Sequence, residues 1–256
     1  MKANAVVLAG RDNTGRLREC SGEAYEALIE IAGLPMAQYV VNALRACQYI
    51  GRVVVVGPRA ALEERLQGEG LEFVERGESL LDNVMLGASH LAGEEGKVLV
   101  TTSDIPLLTP MVVEDFLLRC ASQEANLHYP IVSRRDTEAR FPRARRTYVR
   151  LREGAYTGGN MMLLDPWVID ACARVASRFI AARKQPLKLA TLLGFSFIVR
   201  FLLGRLALAQ AEERVSRILG IRGAAVISPW PEVGMDVDKP EDLELAKVIL
   251  EGGGAA

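Results

Sequence analysis

The chain opens on an apolar run, Asn4 to Ala9, that breaks at Gly10 into polar residues, and short apolar runs then alternate with amphipathic segments through the first half. Pro35 to Cys47 has helical spacing behind a proline suited to a helix start; Arg52 to Val56 is β-branched and predicts a strand. Ala60 to Gln67 reads as helix, Leu71 to Glu75 as strand, Ser79 to Leu91 as helix, Lys97 to Thr102 as strand and Pro110 to Cys120 as helix. Several of these strands lack polar alternation. That predicts an α/β fold with a mostly parallel central sheet covered by helices on both faces.

Beyond Glu124 the alternation loosens. His128 to Val132, Thr147 to Leu151 and Asn160 to Leu164 read as strands; the segment 166–219 is helix-compatible throughout; Ala224 to Ser228 returns to strand before a helix from Pro240 to Leu250. The expected organisation is one domain over 1–251, with a helical insertion at about 166–219 and a flexible tail at 252–256. The most apolar stretch, Leu187 to Ala209, has its longest charge-free run from Leu189 to Val199, short of the roughly 20 residues a spanning helix needs. It is expected to pack on the domain or to join two copies of the chain as a homodimer.

Charge adds little globally. Lysine and arginine total 31 against 32 acids, a net charge of −1, so the overall field favours neither nucleic acid nor membrane. Cys20, Cys47, Cys120 and Cys172 form no CxxC pair, and the two histidines are His90 and His128, which argues against a zinc site or disulfide framework and suits a reducing cytoplasm. The apolar run at the N-terminus is too short for a signal peptide.

Candidate chemistry falls at strand ends, where ligands bind in open parallel sheets. The loop after the first strand offers backbone amides to phosphates, with Arg16 and Arg18 close by in sequence. Asp104, in Ser103-Asp104-Ile105-Pro106, stands at the mouth of the sheet and suits Mg²⁺, which takes one or two protein carboxylates and completes its shell from phosphates and water. Asp236 and Asp238, at i and i+2 in an extended segment, point to one side, while Glu241 and Asp242 are expected to serve the N-terminus of the last helix. Arg146, Tyr148, Arg150 and Arg152 alternate as a basic stripe on one strand face, ahead of Thr157-Gly158-Gly159-Asn160.

Taken in order, VVLAG at Val6 to Gly10, the segment 26–36, the aspartate of SDIP, TGGN and MDVDKPEDL resemble the MobA-like NTP transferases, nucleotidyltransferases of three-layer GT-A-like α/β fold. The resemblance implies transfer of NMP from an NTP to a small phosphorylated acceptor with release of pyrophosphate. It implies Mg²⁺ held by Asp104, Asp238 and Asp236, with Asp104, Asp238 and Arg16 as the catalytic set. The implied nucleotide contacts are Leu8, Ala9, Gly10, Arg11, Arg18, Glu26, Asn83 and Ser103. The implied acceptor contacts are Arg146, Tyr148, Arg150, Thr157, Gly158, Gly159 and Asn160.

Three positions depart from the family pattern: the second loop glycine is Arg11, the lysine that meets nucleotide phosphates is Glu26, and the later lysine is Leu34. Either Arg11, Arg16 or Arg18 then supplies the missing charge, or the chain is a silent nucleotide-binding or regulatory protein of the same fold. A GT-A glycosyltransferase using an NDP-sugar is a third alternative.

Overall fold

In the computed structural model, which describes residues 2–182 and 194–252, the strands are β1 (Ala3–Leu8), the short hairpin β2 (Glu30–Ile31) and β3 (Leu34–Pro35), β4 (Ile50–Gly57), β5 (Leu71–Glu75), β6 (Lys97–Thr102), β7 (Leu127–Ser133), β8 (Val149–Leu151), β9 (Gly154–Gly158), β10 (Met161–Leu164) and β11 (Gly223–Ser228). The helices are α1 (Met36–Arg45), α2 (Arg59–Arg65), α3 (Leu80–His90), α4 (Pro110–Ala121), α5 (Arg134–Arg140) and α6 (Pro166–Ala182), followed by Phe195–Leu202, Leu208–Leu219 and Pro240–Glu251.

The main sheet has the order β5-β4-β1-β6-β10-β7-β9-β8, with β11 alongside β7. β4, β1 and β6 pair in parallel, as do β4 with β5 and β7 with β11; β10 and β9 run against their neighbours. Burial on both faces explains the unbroken apolar runs. Ala5 and Val7 of β1, with Val53, Val55 and Leu99, pack against Val40 and Leu44 of α1 and Phe116 of α4. Val6, Val54, Val56, Val98 and Val100 look the other way, onto Val84, Met85 and Ala88 of α3 and Ile169 of α6. The result is the three-layer α/β/α arrangement, because each central strand has two apolar faces to cover.

The helix starts follow local chemistry. Ser79 caps α3 in a capping box with Asp82, Thr109 caps α4 ahead of Pro110, and Ser133 accepts from the Asp136 amide at the start of α5.

Several expectations need correction. The strand expected over Thr147 to Leu151 is shortened to Val149–Leu151, and the basic tract is not one strand face: the Arg146 side chain is only 9% exposed beneath Asp236, whereas that of Arg152 is 71% exposed. An inward ion pair outweighs the alternation there. β9 and α5 were not anticipated, although Ser133-x-x-Asp136 and the Arg134–Glu138 pair at i, i+4 are legible helix signals. The segment 26–36 is a 3-10 turn, Glu26–Leu28, followed by the hairpin of β2 and β3.

Of the segment 166–219 expected to be helix-compatible, residues 183–193 lie outside those described, as do 253–256 of the expected tail. The Leu187 to Ala209 stretch is therefore described only from residue 194, where it forms the helix Phe195–Leu202 and the start of Leu208–Leu219. Among the described residues no helix is long and apolar enough to cross a membrane.

Candidate functional site

Register along the central strands assembles the site. Leu8 lies opposite both Val56 and Thr102, and the Ser103 amide donates to the Leu8 carbonyl at 3.2 Å, so β1 and β6 end side by side. Asp104 follows at once, and the Thr102 hydroxyl donates to its Oδ1 at 2.5 Å. The Val237 amide donates to the Asp104 carbonyl at 2.8 Å, which pins the late loop carrying Asp236 and Asp238 against the end of β6.

The outcome is a trio. Asp104, Asp236 and Asp238 each offer a carboxylate oxygen within 4.8 Å of the other two, and this is the one such group among the described residues. Oxygens sharing an Mg²⁺ ion at about 2.1 Å lie roughly 3 to 4 Å apart, so the trio fits a divalent cation after small side-chain movements.

Two guanidiniums already approach these carboxylates. Arg146 donates through Nη1 to Asp236 Oδ1 and through Nη2 to the Asp236 carbonyl at 2.7 Å. Arg11 donates through Nη1 to Asp238 Oδ1 at 2.6 Å, and its Nε lies 3.1 Å from Glu26 Oε2. Asp104, Asp236, Asp238 and Glu26 thus gather four carboxyl groups around two guanidiniums.

The carboxyls titrate apart because their surroundings differ. Burial pushes Glu26 up to about 7 against the pull of Arg11, with Asp238 and Asp104 adding to the rise. Burial also raises Asp236 to about 6, opposed by Arg146, and raises Asp104 against the Thr102 hydrogen bond. Burial pulls Asp238 the same way, but the hydrogen bonds from Arg11 and Asp236 hold it below the ordinary carboxylate value.

The opening loop is zipped to the segment after it. The Asn13 amide donates to the Ala24 carbonyl at 2.8 Å, the Glu26 amide to the Arg11 carbonyl at 3.1 Å, and Asp12 bridges Tyr25. Leu8 and Ala9 belong to the sheet interior, and Gly10 lies against the Asn83 side-chain amide, whose Oδ1 accepts from the Gly77 amide at 2.7 Å.

The other basic residues of this loop go elsewhere. Arg16 donates to Glu241 at 3.2 Å on the surface, and Arg18 spends Nη1 on the Gly22 and Glu23 carbonyls of its own loop. The acid Glu241 therefore meets Arg16, while Asp242 accepts from the Asp238 amide at 3.3 Å.

Arg76 was not anticipated. Its Nη1 donates to the Gly10 carbonyl at 2.6 Å and to Asp12 at 2.9 Å, and its guanidinium stacks 5.3 Å from the Tyr25 ring centre. It follows β5 directly, so the strand-end rule that marked Asp104 also applies to it.

Of the expected acceptor residues, Arg146 joins the trio, Tyr148 lies under Arg134 with its hydroxyl buried and unbonded, and exposed Arg150 rests beside Gly204. Thr157 pairs with Val132 in β9, and the Asn160 amide donates to the Val233 carbonyl at 2.7 Å. A Cβ on Gly158 would sit 2.2 Å from the Tyr129 hydroxyl, and one on Gly159 2.8 Å from Pro130, so both glycines permit close packing in which Tyr129 comes near Asp236. Tyr129 carried no sequence signal.

Comparison with known proteins places this geometry. The family model described as MobA-like NTP transferase domain matches residues 5–220. A hypothetical transferase structure from Thermus thermophilus is similar at 42% identity and a TM-score of 0.84, covering 95% of this chain and 100% of that one. The 2-C-methyl-D-erythritol 4-phosphate cytidylyltransferase from Thermus thermophilus shares the fold, with a TM-score of 0.56 at 17% identity over 98% of this chain and 100% of its own. Among curated proteins, Bifunctional protein GlmU from Exiguobacterium sibiricum is 30% identical over 125 residues, which are 48% of this chain and 27% of that protein. The chain thus spans about a quarter of the length of that relative.

Proposed function

The chain belongs to the MobA-like NTP transferase family, and from that premise we propose that it is a Mg²⁺-dependent nucleotidyltransferase acting on an NTP and a small phosphorylated acceptor. The observation that carries this reading is the convergence of Asp104, Asp236 and Asp238 beside the loop that follows β1.

In the proposed reaction an acceptor phosphate oxygen forms a bond to the α-phosphorus, the bond from that phosphorus to the bridging oxygen breaks, and pyrophosphate leaves with the electron pair. Asp104 and Asp238 are the residues that would hold Mg²⁺, which when bound neutralises the triphosphate and favours the departing charge. Asp236 is tied to Arg146 and holds the late loop in place. Arg11 provides the positive charge on the donor side in place of the family lysine, its planar guanidinium lying between Asp238 and Glu26. No protein nucleophile is required, since positioning and charge neutralisation carry the transfer.

Titration calorimetry of the four NTPs with Mg²⁺ tests this reading: at least one should bind, and Asp104→Asn should weaken it. The absence of binding by all four would overturn it. Glu26, a buried carboxylate beside the donor loop, favours a second reading as a silent nucleotide-binding protein of the same fold. Pyrophosphate release in a screen of sugar phosphates and alditol phosphates would exclude that reading.

A further inference from the structure

The two ion pairs at the trio differ in a way that bears on how a cation enters. Arg146 and Asp236 are both largely buried, with side chains 9% and 22% exposed, and the guanidinium has a second anchor on the Asp236 carbonyl. Arg11 and Asp238 are open to solvent, 59% and 39% exposed, although the contact itself is 2.6 Å. Breaking the first pair would strand charge in the interior, whereas the second exchanges its partner for water at little cost.

Of the two arginine-bound carboxylates of the trio, Asp238 is thus the one whose partner is easier to displace. Arg11 is long enough to hold Glu26 through Nε while Nη1 reaches Asp238. Release of Nη1 alone therefore frees Asp238 and leaves a guanidinium donor beside the opening loop, without moving the backbone.

We propose that Arg11 is an exchangeable internal cation: it occupies Asp238 in the free protein and transfers to the triphosphate when the divalent cation takes Asp238. The inference rests on the proposed nucleotidyltransferase reading and adds a coupling that the family pattern, with glycine at this position, has no side chain to make. Metal alone competes with Arg11 and binds weakly; triphosphate draws Arg11 away and removes the competition. By linkage, each ligand then raises the affinity for the other by the same factor.

One substitution should shift the two ligands in opposite directions. In the full chain, Arg11→Gln is expected to bind Mn²⁺ alone more tightly, by up to about fivefold, the value of a part-exposed ion pair released from competition. The same variant is expected to bind inorganic tripolyphosphate in EDTA several-fold more weakly. Arg217→Gln, which removes an exposed arginine paired with Glu213, serves as the control and should change Mn²⁺ affinity by much less.

Electron paramagnetic resonance reads free Mn²⁺ directly, and calorimetry reads tripolyphosphate. If the natural chain binds Mn²⁺ and Arg11→Gln binds it no more tightly, Arg11 does not compete for Asp238 and the inference is overturned, while the transferase reading stands. If neither chain binds Mn²⁺ even with tripolyphosphate present, the transferase reading itself falls, and the inference falls with it.

Discussion

Arg11 and Asp238, 227 residues apart in the chain, meet at 2.6 Å, so the residue that replaces a loop glycine is held by a carboxylate of the late MDVDKPEDL segment. A departure from the family pattern at one end of the chain is thereby answered at the other. The consequences extend to the trio, the buried glutamate and the opening loop.

Asp104→Asn should abolish turnover while sparing the fold. The carboxylate stands at the end of β6 against the late loop, and its burial already disfavours the charged form. Pyrophosphate release is expected to fall by about 100-fold or more. Thermal unfolding at neutral pH should be unchanged or shifted upward; a large loss of stability would mean that Asp104 is chiefly a structural residue.

Glu26→Gln should change how stability depends on pH. The carboxyl rises from its ordinary value of 4.5 to about 7 in the folded chain, chiefly by burial, so the folded state binds more protons than the unfolded one between those values. Its stabilising contribution is full below pH 4.5 and is lost as pH rises through about 7. Denaturant unfolding at pH 5 and pH 8 should therefore show the natural chain losing up to about 2.5 kcal/mol relative to the glutamine variant. Parallel curves for the two proteins would contradict the assignment.

Arg76→Ala should loosen the opening loop. The substitution removes donors to the Gly10 carbonyl and Asp12 together with the contact on Tyr25. Amide exchange over residues 10–13 is expected to speed up, with NTP binding weakened by roughly tenfold. Unaltered exchange in that loop would show that the zipper to Ala24 and Glu26 suffices without the guanidinium.

Gly87→Ala in α3 sets propensity against packing. Alanine is worth about 1 kcal/mol in a helix interior, yet the added Cβ would lie 2.4 Å from Val6 Cγ1 and 3.0 Å from Val56 Cγ2. Overpacking of this kind costs about 1–3 kcal/mol, so net destabilisation is expected on chemical unfolding. A stabilised variant would mean that α3 can move off the sheet without penalty.

Much of the fold was legible locally. Val53 to Val56 or Val98 to Val100 could run without polar interruption only if both faces were covered, and Ser79, Thr109 and Pro110 marked helix starts through chemistry contained within a few residues. Asp104, Asp236 and Asp238 were legible as candidates for the same reason: two lie two residues apart in extended chain and the third ends a buried strand. The tract from Arg146 to Arg152 was less legible, because alternation describes a strand face only where a strand exists, and Arg146 turns inward to a partner 90 residues away. Arg76 and Tyr129 lay hidden for a related reason, each acting through a neighbour brought close by strand order.

The sequence by itself determined the alternation of strands and helices, the double-sided burial of the sheet and the kinds of charge at its strand ends, since these follow from periodicity and residue type within short windows. The tertiary structure alone decided that Arg11 turns to Asp238 and Glu26, that Arg146 closes on Asp236, and that Arg18 stays within its own loop. The physical reason is that an ion pair between distant segments depends on the summed geometry of the strands and loops between them. Every arginine carries the same charge and reach in the sequence, and only the folded sheet selects which carboxylate it meets.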